Sequence, residues 1–253
     1  MKLFIELAQK KYAIEVSQPL DISIPMHSGT SNPNAFGIQP PLFEPYKAGG
    51  FIGSVAMGGS VNCENLFLNA HGNGTHTECI GHISKERISI NSCLKQFIFS
   101  CEVISAAPEQ ISNGDFVITL KKVQEKLVHH LPEAIAIRSL PNNESKKQAI
   151  YSGYNPPYLE AELCSWLRAN GVKHLLIDMP SVDKEEDGGA LASHHAFWGY
   201  PLAKRYDATI TEMIFLPDSI SDGLYLLNLQ IASLETDASP SKPVLYKLQP
   251  LEA

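Results

Sequence analysis

Apolar and polar positions alternate along much of this chain. Leu20, Ile22 and Ile24 alternate with Asp21 and Ser23 and stop at Pro25, the period of a half-buried strand. Lys2 to Lys11 reads as a short helix and Tyr12 to Val16 as a strand. Phe51 to Ala56 and Asn65 to Ala70 read as two strands joined by a Gly58-Gly59 turn. Phe97 to Ala106 is a further strand, Phe116 to Leu120 a short element, and Ala134 to Arg138 a strand of buried type. Thr209 to Ile214, Leu224 to Ile231 and Val244 to Leu248 complete the set. Two stretches carry a helical period. Val123, Leu127 and Val128 define one from Lys121 to His130, with His129 and His130 at the end where positive charge suits the helix dipole. Leu159, Leu163, Trp166 and Leu167 define the other, which starts at Pro156-Pro157 and stops at Asn170-Gly171. The apolar run Val172 to Ile177 follows, and helix, glycine stop and strand in that order form half of a βαβ unit.

Between these elements, His27 to Ala48 is rich in Pro, Gly, Asn and Ser and reads as a long loop. Its Phe36, Phe43 and Tyr46 either pin the loop by burial or wall a substrate. Asn142 to Gln148 reads as solvated surface. Strands outnumber helices and the helices fall between them, so the fold class is α/β or α+β with a large mixed sheet. No repeat, linker or break in composition divides residues 1–253, which read as one domain.

Composition narrows the function classes. The net charge is −7 and no basic stretch is present, which argues against nucleic acid as a partner. The longest apolar runs are short, so no bilayer span is expected. The first residues lack the apolar core of a secretion signal. Five cysteines with no Cys-x-x-Cys pair point to free thiols in a reducing cytoplasm. Cys79 is the one thiol beside candidate chemistry, and it reads either as a small packing residue or as part of a site.

That chemistry lies in Asn69-Ala70-His71-Gly72-Asn73-Gly74-Thr75-His76-Thr77-Glu78-Cys79-Ile80-Gly81-His82. Three of the nine histidines fall within these fourteen residues. His76, Glu78 and His82 share parity, so an extended chain projects all three to one side. Imidazole and carboxylate are the usual donors to zinc and similar ions, and glycines let flanking side chains converge. The stretch reads either as a polar surface loop or as part of a metal site. A second histidine pair lies in Ala192-Ser193-His194-His195, and Glu212 stands among apolar residues where it must be paired, ligated or exposed.

Gly74-Thr75-His76-Thr77-Glu78 followed by His82 resembles the His-x-Gly-Thr-His-x-Asp-x-x-x-His signature of the metal-dependent cyclase and kynurenine formamidase family. Pro19-Leu20-Asp21-Ile22-Ser23-Ile24-Pro25, Asp178-Met179-Pro180-Ser181-Val182-Asp183 and Asp237-Ala238-Ser239-Pro240 are similar to further family segments. There are two departures. The family's first histidine falls at Gly72, with His71 one residue earlier, and its aspartate is Glu78 here. The resemblance implies a swivelling β/β/α-type fold and a hydrolase of an amide or a cyclic amide or ester. Kynurenine formamidase, in tryptophan catabolism, is the nearest named activity. An isatin-like lactam hydrolase and a metal-free binding protein on the same scaffold are the alternatives.

By residue, the resemblance implies His71, His76, Glu78, His194 and Glu212 as metal ligands, with Glu78 able to bridge two ions. His194 ranks ahead of His195 because the small and apolar residues that follow it then fall as in the family. His82 is implied as the general acid or base, a role that imidazole, with an ordinary pKa near ~6.5, can fill in either direction. Asp178 and Ser181 are expected as support behind the ligands. One or two divalent ions are implied, zinc first and manganese second. A small-molecule substrate and a homo-oligomer, dimer or tetramer, are also implied.

Overall fold

The computed structural model describes residues 1–7, 9–127 and 132–251. His129 and His130 lie outside the described residues. The large mixed sheet expected from the sequence is present, and it closes on itself. Strand Gly223–Ile231 pairs with Ile98–Ala106, followed in order by Ala134–Ser139, His174–Ile177, Thr209–Glu212, His76–Cys79 and Ala238–Lys247, which pairs back with Gly223–Ile231. Four neighbouring strands, from 98–106 to 209–212, run parallel, and the remaining pairings are antiparallel. Leu20–Asp21 adds to the 238–247 strand from outside the ring.

Strand parity divides the core. Cys79, Cys101, Val103, Ala134, Ala136, Leu176, Leu227 and Leu245 form one buried cluster that fills the barrel. The residues between them, such as Ile104, Ile135, Ile137, Leu175, Ile177 and Ile210, face outward under helices Ala161–Ala169 and Ala192–Trp198. The expected βαβ unit is formed: strand 134–139, the 161–169 helix and the parallel strand 174–177. The helix starts at Ala161, not at Pro156-Pro157, because Tyr158–Leu159 pairs as a strand with Val117–Ile118; Leu163 and Leu167 of the predicted stripe are on the helix and fully buried.

Several local expectations are corrected. Lys2–Leu7 is a strand paired antiparallel with Lys10–Glu15, not a helix. Pairing lets Ile5, Leu7 and Tyr12 pack against Ile14, Leu226 and Leu248, and that burial overrides the helix propensity of a short segment. The 51–56 and 65–70 segments do not pair with each other. Phe51–Ile52 pairs with Lys47–Ala48, and Glu64–Phe67 pairs with Leu42–Pro45. Gly53 and Gly59 force this course: a Cβ on Gly53 would strike Cys63 O, and one on Gly59 would strike Ile52 O. The 142–148 stretch is not plain surface. Glu144–Gln148 is a turn of 3₁₀ helix from which Lys146 Nζ reaches the buried Asp178 carboxylate at 2.7 Å.

Candidate metal centre

Register assembles the site. His76 lies opposite Glu212 and Glu78 opposite Ile210, so His76, Glu78 and Glu212 all project to the outer face of the barrel. Thr77 and Thr211 take the other parity and meet inside the barrel, oxygen to oxygen at 2.8 Å. Cys79 shares that inward parity and packs in the barrel core, away from the histidines. The chain turns sharply just past Glu212, where Met213 has φ +52°, a conformation that costs a non-glycine residue about 1–3 kcal/mol. Helix Ala192–Trp198 covers the outer face and brings in His194. His195 stays out of the cluster and packs on Tyr200 at 5.3 Å.

Glu78 is the hub. It is completely buried, with Oε1 3.1 Å from His194 Nε2 and Oε2 3.0 Å from His71 Nδ1. His82 Nδ1 lies 3.8 Å from the same Oε2. His76 Nε2 lies 3.4 Å from Glu212 Oε2, while Glu212 Oε1 accepts the Val182 amide at 3.0 Å. His71, His76 and Glu78 present ligand-type atoms within 4.8 Å of one another. So do Glu78, His82 and His194, and so do His71, His82 and Asp237. Glu78 therefore belongs to two of these groups, and Glu212 reaches the cluster through His76. The structure thus gathers His71, His76, Glu78, His82, His194 and Glu212 in one place.

Each buried histidine has one nitrogen already committed. His76 Nδ1–H donates to Gly74 O at 3.0 Å, and His194 Nδ1–H donates to Asp183 Oδ2 at 2.6 Å. In both rings Nε2 is left to face carboxylate oxygens. Metal-binding histidines are commonly oriented by such partners. Two polar atoms of this cluster, His76 Nε2 and Glu78 Oε2, are buried without a hydrogen-bond partner. Burying such atoms costs about 1–3 kcal/mol each unless something binds them.

The electrostatics point the same way. Four carboxylates, Glu78, Asp183, Glu212 and Asp237, surround four histidines. Burial disfavours protonation of His71, yet the Asp237 and Glu78 carboxylates outweigh it and raise its pKa to about 10. His194 is also raised to about 10, against burial, by Asp183 and Glu78. Burial likewise opposes the charge on Glu78, but His82, His194 and His71 hold its pKa well below the ordinary carboxylate value. The site demands positive charge, which protons supply in the chain alone. The donor set, the two orphaned atoms and this excess of carboxylate all fit a divalent cation.

Two participants were not among the residues expected from the sequence. Asp183 holds His194 and also accepts the Ser193 and His194 amides at 2.7 and 3.1 Å, capping a helix that lacks a local side-chain cap. Asp237 Oδ2 accepts from His71 Nε2 at 2.8 Å and from His82 Nδ1 at 3.3 Å. The support expected of Asp178 is supplied by Asp183; Asp178 accepts the Ser139 amide and the Lys146 ammonium instead. Ser181 does contribute, through its hydroxyl, which accepts the Asp183 amide at 3.1 Å. Asp183 closes the Asp-x-Pro-Ser-x-Asp segment and Asp237 opens the last family-like segment, so the signal was available.

A kynurenine formamidase of Bordetella pertussis is 29% identical over 194 residues, spanning 74% of this chain and 82% of that protein. Among solved structures, isatin hydrolase A from Labrenzia aggregata superposes with a TM-score of 0.66 at 14% identity, covering 90% of this chain and 93% of the other. A "predicted metal-dependent hydrolase" from Bacillus stearothermophilus gives a TM-score of 0.64 at 15% identity, covering 90% and 98%. A family profile described as "Putative cyclase" matches residues 14–184, more than half of the sequence, and the chain belongs to that cyclase family.

Proposed function

We propose that this protein is a metal-dependent hydrolase of carbon–nitrogen bonds other than peptide bonds. Its nearest named reaction is that of kynurenine formamidase, N-formylkynurenine and water giving kynurenine and formate. The observation that carries this reading is the convergence on Glu78 of histidines whose far nitrogens are already committed. Zinc is the first choice of ion and manganese the second, one or two per chain, because the donors are imidazole and carboxylate. His71, His76, Glu78, His194 and Glu212 would hold it. When bound, the ion supplies Lewis acidity to a carbonyl oxygen and acidifies water from ~15.7 towards ~7.

The remaining work falls to the chain's own groups. His82 stands at the mouth of the site with 31% of its side chain exposed, its Nδ1 held by Asp237. In this reading it takes a proton from the attacking water and returns it to the departing nitrogen as the C–N bond breaks. His82 also lies near enough to Glu78 and His194 to ligate.

The homo-oligomer expected from the family resemblance has support in an exposed arm. Leu42–Pro45 and Glu64–Phe67 form a two-stranded ribbon in which Leu42 and Phe67 point to one face and Leu66 to the other. These three side chains are 48%, 55% and 58% exposed. Ten large apolar residues from Phe36 to Leu68 are exposed in all. Phe36 and Tyr46 are among them, so neither pins its loop by burial. Together they offer on the order of 800 Å² of apolar surface, about one partner's share of a standard interface. A second copy of the chain is the proposed partner.

The test is turnover of N-formylkynurenine, and of isatin in parallel, by chelator-treated protein before and after zinc or manganese is restored. Metal-restored hydrolysis of either substrate supports the reading. Hydrolysis that is indifferent to chelation, or no hydrolysis with any divalent ion, refutes it.

A further inference from the structure

His71 stands one residue before the position where the family's first histidine falls, and the fold leaves a side chain on residue 72 little room. A Cβ on Gly72 would lie 2.5 Å from Ile38 Cδ1 and 3.1 Å from Ala35 O. The Ala35 amide also donates to Gly72 O at 3.1 Å, so the 35–38 turn closes over this residue. In this chain the imidazole enters the cluster from residue 71. It then approaches along a different line from that of a side chain on residue 72, and its far nitrogen meets Asp237.

The three histidines around Glu78 and Glu212 are held in two different ways. His76 and His194 are gripped at Nδ1, by Gly74 O and Asp183, which turns Nε2 toward the carboxylates: that of His76 has no hydrogen-bond partner and that of His194 meets Glu78 Oε1 at 3.1 Å. His71 is gripped at Nε2, by Asp237 at 2.8 Å, which leaves Nδ1 facing Glu78 Oε2 at 3.0 Å. That Nδ1–Oε2 approach lacks hydrogen-bond alignment, and Glu78 Oε2 has no hydrogen-bond partner. The two atoms form a close ion pair without hydrogen-bond geometry.

We propose that Asp237 is the positioning residue that makes His71 a metal ligand through Nδ1, while His76 and His194 ligate through Nε2. The same Asp237 oxygen accepts from His82 Nδ1 at 3.3 Å, and the His71 and His82 rings stack with centroids 4.3 Å apart. One carboxylate therefore fixes both the displaced ligand and the candidate acid–base group. A carboxylate behind a ligating imidazole sets its tautomer and raises its basicity. This inference rests on the metal-centre reading above.

The experiment uses the full chain labelled with ¹⁵N-histidine and loaded with ¹¹³Cd²⁺, in which one-bond nitrogen–cadmium couplings identify the ligating atom of each ring. His71→Ala assigns the His71 signals. The expected result is coupling at Nδ1 of His71 and at Nε2 of His76 and His194. Asp237→Asn keeps an oxygen acceptor, so coupling at His71 Nδ1 should persist with cadmium affinity about 10-fold weaker. Asp237→Leu removes the acceptor and should weaken affinity by up to about 100-fold, with His71 coupling lost or moved to Nε2. Cadmium coupled to His76 and His194, but to His71 at Nε2 or not at all, overturns this inference and leaves the metal reading standing. Unchanged coupling and affinity in Asp237→Leu overturn it too. Failure of the wild-type chain to bind cadmium overturns both.

Discussion

The histidine cluster and the 42–67 ribbon are opposites in burial. In the cluster, Glu78, His76, His194 and Glu212 are almost wholly removed from water. In the ribbon, Leu42, Leu66 and Phe67 stand out in it on both faces. Charged groups are rarely buried unless paired or ligated, and contiguous apolar surface is rarely exposed unless it meets a partner. The two regions break the ordinary rule in opposite directions. The cluster is able to hold a cation, and the proposed occupant of the ribbon is a second copy of the chain. Leu68, Asn69 and Ala70 join them in the chain, so the arm leads directly to His71.

The sharpest way to break the comparison is at its hub. Glu78→Gln should abolish metal retention and reduce hydrolysis by at least about 10³-fold, since the several kcal/mol that an ion supplies is lost with it. Metal content and rate measured on one preparation check this; a variant that keeps both would remove Glu78 from the centre. Next in size is His82→Ala, which should keep the ion and lose about 10²–10⁴-fold in rate. Loss of metal by His82→Ala, as complete as that by His76→Ala, would make His82 a ligand instead.

On the other side of the comparison, Phe67→Asp should weaken self-association by about 100-fold or more, as loss of an interface anchor does. Because Phe67 is already exposed, the folded monomer should change in stability by no more than about 0.5 kcal/mol. Sedimentation and thermal melts separate the two effects, and an unaltered oligomer would free the ribbon for another partner.

The smallest effect lies in neither region. His174 is buried against Phe99, and burial, with help from Lys173, lowers its pKa to about 3. It stays neutral in the fold, whereas the unfolded chain takes up a proton below ~6.5. Its contribution is thus fully present above ~6.5 and is lost as pH falls towards 3, by about 3 kcal/mol near pH 4.5. Denaturant titrations at pH 7 and 4.5 on wild type and His174→Leu should show a smaller pH loss in the variant. Equal losses would assign the acid sensitivity to other groups.

Much of the site was legible because it is written in parity. His76 and Glu78 alternate on a strand, and the structure buries both on the outward face. The barrel strands follow from apolar runs whose burial is decided locally. What the sequence could not carry were the partners set by register. Glu212 meets His76 only because the 209–212 strand lies beside 76–79, and Asp237 meets His71 across 166 residues. Lys146 sits in a stretch as polar as any surface loop, and only the fold turns it inward to Asp178. The N-terminal segment failed for the reverse reason: its composition allows a helix, and a neighbouring strand decided otherwise.

The central claim is that the cluster is built for a divalent cation. Its most direct test is metal analysis of purified protein, grown in supplemented medium, dialysed and measured by mass spectrometry. About one or two zinc or manganese ions per chain are predicted. Less than about a tenth of an ion per chain, with no uptake on adding either metal, would contradict the account.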